Sequence, residues 1–123
     1  MDDRAFKTLI DYLEKVPSIQ KPISFGDNEG YWWLKLSLDI GNNLAWNVVQ
    51  ELGFVINHIS IDERLPTIFY PVSPPPYMNG GPTDFLSWVI ETKDPKFKPG
   101  TLMKWLEARL PNPVDDLEQW NEE

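Results

Sequence analysis

The chain has a single histidine, His58, and any dyad or triad built on an imidazole has to use it. Asp62 and Glu63 follow closely, so the three make a fragment of a metal site of the kind that suits Mg²⁺ or Mn²⁺. The fragment is incomplete, because no further ligands converge on it in the sequence. His58 therefore reads as a strand residue hydrogen-bonded to a neighbour. The nucleophile half of a hydrolase is missing as well: no serine sits in a glycine-flanked strand–turn–helix elbow. There is no cysteine, which removes thiol nucleophiles and thiolate metal sites. Asp27 and Glu29 share one turn, and Asp39 closes the strand that follows. Paired carboxylates do acid–base work only in a cleft that drives their pKa values apart, and turn acids are ordinarily solvated. Asn79-Gly80-Gly81 has backbone amides suited to an anion, but no Lys-Ser/Thr follows, which excludes a P-loop. The expectation is a protein that is not an enzyme, with no cofactor and no metal.

Binding chemistry is better represented. Trp32 and Trp33 are neighbours in the stretch Tyr31–Ile40, where Trp32, Leu34, Leu36, Leu38 and Ile40 alternate with Tyr31, Trp33, Lys35, Ser37 and Asp39. Side chains of a strand alternate between its faces, so the two indoles cannot enter the same core. Trp32 belongs with the leucines. Trp33 lies among polar residues and needs another cover, either a second layer or a partner. Pro74-Pro75-Pro76-Tyr77 fits the polyproline pattern that WW domains read. It falls between two predicted strands rather than in a tail, so it reads as a structural loop packing Tyr77 on the body. Six of the twelve prolines lie between Leu65 and Thr92. They make this stretch a stiff loop, edged by aromatics and turned at Asn79-Gly80-Gly81-Pro82.

The elements that must position these groups follow from periodicity. Asp2 or Asp3 caps a first helix carrying Phe6, Leu9, Ile10, Leu13 and Val16, stopped at Pro17. Ile19 to Pro22 reads as a linker and Ile23–Phe25 as a short strand, with a glycine-bounded turn before Tyr31. Leu44, Ala45, Val48, Val49 and Leu52 stripe a second helix ending near Gly53. Phe54-Val55-Ile56 fits both a strand and a continued helix, and the expectation is a strand through about Ile61. Thr67–Val72 and Phe85–Ile90 are the next strands. The second of these also fits a helix capped by Thr83, and its Trp, Val and Ile content favours the strand. Thr101 caps a third helix with Leu102, Met103, Leu106 and Leu110. The class is α+β: a single domain over 1–111, with an antiparallel sheet of four or five strands packed against about three helices.

Charge sets the kind of partner. The net charge is −8, and residues 112–123 hold Asp115, Asp116, Glu118, Glu122 and Glu123 with no lysine or arginine. That leaves fourteen acids against eleven bases in residues 1–111, a mildly acidic body with an acidic C-terminal tail. Duplex nucleic acid is a poor partner for such a chain, because that binding rests on neutralising phosphates. No apolar run reaches the ~20 residues of a membrane helix, and the opening MDDRAFKTLIDYLEK lacks the form of a signal peptide. The expectation is a cytoplasmic binder of a basic protein partner, without nucleic acid or membrane. In composition alone it is akin to the small acidic immunity and antitoxin proteins that neutralise a toxin or nuclease domain. Its expected contact residues are Tyr31, Trp33, Asp39, Tyr77, Asn79, Asp115 and Asp116. Val114, Leu117 and Trp120 fall three apart, so the tail can dock on the body through a short helix. The alternative function is a small enzyme or ligand-binding domain with a pocket between the sheet and the proline-rich loop near His58.

Overall fold

Two antiparallel hairpins make the sheet, and helices cover one side of it. The computed structural model describes residues 3–58, 65–72 and 86–121. Its elements are α1 (Asp3–Leu13), β1 (Ile19–Asn28), β2 (Tyr31–Leu38), α2 (Ala45–Gly53), a π-helical turn (Phe54–His58), β3 (Thr67–Val72), β4 (Leu86–Thr92), α3 (Pro99–Arg109) and α4 (Leu117–Asn121). The four described strands run in the order β1-β2-β4-β3, every neighbouring pair antiparallel. This is the α+β class expected from the sequence.

The alternation is realised from Tyr31 to Leu38, where β2 ends two residues before the expected Ile40: Trp32, Leu34, Leu36 and Leu38 are buried, while Tyr31, Trp33 and Lys35 are exposed. Register carries the same face across the sheet, with Leu34 opposite Ile90, Leu36 opposite Trp88, and Phe69 opposite Ile90. Phe6, Leu9 and Leu13 of α1, Val48 and Leu52 of α2, and Leu102 and Leu106 of α3 close over this face in one core. Trp32 is fully buried, and its indole N–H donates to the Phe97 carbonyl at 2.7 Å, which pins the loop before α3.

Three expectations need correction. Phe54–His58 is not a strand: the chain continues past Gly53 as a π-helical turn. Val55 and Ile56 extend the buried stripe of Val48 and Leu52, so core burial overrides their β-branched preference. Ile59–Ile61, the rest of that expected strand, lies outside the described residues. Ile19 to Pro22 is not a linker but the start of a ten-residue β1. Pairing breaks register between Gln20 and Ser24, and such an irregularity lets a strand carry Pro22. Finally, α3 starts at Pro99, two residues before Thr101, with proline in the first turn where its missing N–H costs nothing.

Asn57, in the π-helical turn, closes the outer edge of β3. Its side-chain oxygen accepts the Phe69 N–H at 2.8 Å and its amide donates to the Phe69 carbonyl at 3.0 Å. Pro71 occupies the next outward position and has no N–H to offer. Asn57→Ala leaves both Phe69 groups without their partner. It is expected to cost about 1–3 kcal/mol and to raise self-association, read from the denaturation midpoint and light scattering.

Candidate functional site

The side of the sheet away from the helices is uncovered by any described element. Turning outward there are Ser24, Gly26 and Asn28 of β1, and Tyr31, Trp33, Lys35 and Ser37 of β2. Ser87, Val89 and Glu91 of β4 face the same way, as do Ile68, Tyr70 and Val72 of β3. All of these are exposed or half-buried. Tyr31 is 50% exposed and Trp33 38%, high values for side chains of this size.

Trp33 owes its posture to the strand beside it. It pairs with Gly26, and a Cβ added to that glycine would lie 2.7 Å from the indole ring. The indole therefore lies flat along β1 where a side chain is missing, one flank packed and the other in solvent. The β1–β2 turn that sets this register has Glu29 at φ 55° and Gly30 at φ 91°, the mirror-image geometry that matches strand twist. Pro95 closes on Gly30 so tightly that a Cβ there would meet it at 2.8 Å.

Charge on this face is nearly balanced. Lys35 stands beside Val89, and Glu91 lies 3.6 Å from Lys93. Partial burial, with the neighbouring Glu91 carboxylate, pushes the Tyr70 phenol above its ordinary range. The face is thus aromatic and aliphatic with a thin scatter of ions, the composition of a contact surface rather than of a reaction centre.

The structure divides the expected contact residues. Tyr31 and Trp33 lie together on the open face. Asp39 follows the far end of β2, where its carboxylate accepts the Gly41 N–H at 3.1 Å. Asp115 and Asp116 belong to the turn before α4, which packs against α2. Asp116 caps that helix: it accepts the Glu118 N–H at 3.1 Å and the Gln119 side chain at 2.9 Å, and the Gln119 bond lowers its pKa. Tyr77 and Asn79 lie outside the described residues, as do Asp62 and Glu63, so the pocket expected near His58 and the proline-rich loop does too. Among the described residues no three His, Cys, Asp or Glu side chains gather as a metal site. No described helix is long and apolar enough to cross a membrane.

Two further features lie on the helical side. A groove of about 370 Å³ is lined by Asn47, Glu51, Arg109, Asn112, Gln119 and Trp120, among others. Arg109 donates to both oxygens of Glu51, at 2.7 and 3.3 Å, and its guanidinium rests 4.4 Å from the centre of the Phe54 ring. Phe54 and Trp105, with Trp46 on α2, remain exposed, and sequence reasoning missed this group. The signal was present in Trp105, which falls off the Leu102, Met103, Leu106, Leu110 stripe of its helix.

A crevice of about 40 Å³ separates Tyr12 from Glu107, Asn112 and Val114. The Tyr12 hydroxyl is buried without a hydrogen-bond partner among the described residues. Burial, then the Glu107 carboxylate, pushes its pKa up to about 12. Below pH 10 the phenol is neutral whether the chain is folded or not, so it contributes no pH dependence. Between pH 10 and about 12 the unfolded chain releases this proton first, and stability falls as pH rises. An absorbance titration is expected to show Tyr12 among the late-ionising tyrosines, and Glu107→Gln should lower its midpoint only in part, because burial is the larger cause.

Comparison with known proteins gives no match: no family model, no curated protein and no solved structure matches the chain.

Proposed function

We propose that the chain is a non-catalytic protein-binding domain that occupies a basic partner through the open face of its sheet. The observation that carries this reading is the exposure of Trp33 and Tyr31 on a face where Ile68, Tyr70, Val72 and Val89 supply apolar ground. Aromatic side chains bring large contact area at little entropic cost and dominate many interfaces. The net charge of −8 supports a basic partner, since long-range attraction speeds encounter while the aromatic face makes the close contact. Inhibitors of the immunity or antitoxin type work in this way, by covering the basic working surface of a toxin or nuclease domain.

Photo-crosslinking in the native host tests it. Benzoylphenylalanine is placed at position 33 in one variant and at position 105 in another. The expected result is one strongly basic protein captured from position 33, with little capture from position 105. Crosslinks from position 105 alone, or to acidic partners alone, would overturn the reading.

A further inference from the structure

The two edges of the sheet are finished differently. The outer edge of β3 is closed by Asn57 on Phe69 and by Pro71, as described above. On β1 no comparable closure is present among the described residues. The two-residue turn makes Asn28 and Tyr31 a hydrogen-bonded pair, so Gly26 and Ser24 also bond toward β2. The peptide groups of Phe25 and Asp27 therefore point outward to solvent, where another extended chain can pair with them.

The side chains of β1 specify which chain. Phe25 stands on the helix side of the sheet yet is 41% exposed, stacked on Phe6 with ring centres 4.7 Å apart. Its uncovered flank is an apolar surface at the open edge. Lys21 stands toward one end of the strand and Asp27 with Glu29 toward the other, all three exposed. A strand basic at its start and acidic at its end is complementary to itself when reversed. In antiparallel pairing each Lys21 comes beside the acids of the other copy, and a parallel pairing would set like charges together.

We infer that β1 is a self-association edge, and that its partner is a second copy of this chain added antiparallel about a twofold axis near Phe25. The sheet then runs continuously through both copies. Phe25 and its counterpart cover one another over the two Phe6 rings, and the open faces that carry Trp33 lie side by side. Such an interface is isologous, each charged contact occurring twice.

Sedimentation of the purified chain from about 10 μM to about 1 mM spans the affinities of a small, weak interface. The expected result is a concentration-dependent shift from 14.3 kDa toward twice that mass. Lys21→Glu is expected to weaken association on the order of tenfold, because two attractions become repulsions. Adding Glu29→Lys to that variant should recover a large part of the loss. Both substitutions are at exposed positions, so folding is not at stake. Hydrogen exchange on the unaltered chain reads the same edge: the Phe25 and Asp27 amides should gain protection as concentration rises. A monomer throughout the range, or a dimer indifferent to Lys21→Glu, or unchanged protection at Phe25 and Asp27, would overturn the inference. None of these outcomes bears on whether the open face binds a basic partner.

Discussion

Trp120→Ala is expected to destabilise the protein by about 3–5 kcal/mol, the range for deleting a large buried aromatic. Although it sits in an acidic terminal stretch, Trp120 is only 3% exposed. Its indole N–H donates to the Val114 carbonyl at 2.7 Å, and its own carbonyl accepts the Asn47 side chain at 2.9 Å. Val114 and Leu110 are buried with it in the common core. Truncation therefore opens a cavity and also leaves the Val114 carbonyl without its donor. Leu117 serves as the control: it is 58% exposed despite lying three residues from Trp120, and Leu117→Ala should cost well under 1 kcal/mol. Chemical denaturation of both variants measures the difference. Equal midpoints would mean that the tail is not docked in solution.

The second large effect is expected at Trp88. It is 7% exposed, stacked on Phe69 with ring centres 4.8 Å apart, and paired across the sheet with Leu36. Its indole N–H has no hydrogen-bond partner among the described residues, so the contribution seen there is that of apolar burial and stacking. Trp88→Ala should cost about 3–5 kcal/mol. Trp33→Ala should cost clearly less, about 1 kcal/mol, because one side of that indole is already in water. A comparable loss at the two positions would mean that a second layer covers the open face.

The sequence made some of this legible and not the rest, for physical reasons. The period of two in β2 is unambiguous because one face is buried and the other is wet, so Trp32 and Trp33 separate by neighbours alone. Phe54-Val55-Ile56 has no such contrast. A short apolar run fits either period, and only the placement of Val55 and Ile56 under β3 decides it. The first half of β1 was hidden because Gln20, Lys21 and Pro22 carry no alternation. Gln20 is held by the ladder to β2, and Lys21 and Pro22 fall in the irregularity before pairing resumes at Ser24, a relation that residue types do not encode. The open face had the same obstacle. Trp33 could be read locally, but Tyr70 and Val89 join it only through strand register between segments far apart in the chain. Tryptophan identity was a weak guide, since Trp32, Trp88 and Trp120 are buried while Trp33, Trp46 and Trp105 are not.

The strand order has a kinetic consequence. Each outer pairing joins strands consecutive in the chain, but the central ladder joins β2 to β4, placing Leu34 against Ile90 and Leu36 against Trp88. Closing that ladder requires bringing together strands that end at Leu38 and begin at Leu86, nearly fifty residues apart, before any central contact forms, and loop closure of this kind sets folding speed. The barrier should therefore lie where the two hairpins meet. Conservative truncations such as Leu36→Ala are expected to slow refolding, whereas Ile23→Val at the β1 edge should mainly hasten unfolding. Stopped-flow refolding of the two variants gives the comparison, and a slowing confined to the edge variant would place the barrier elsewhere. The seam between the hairpins is then both the middle of the sheet and the last part of it to be earned.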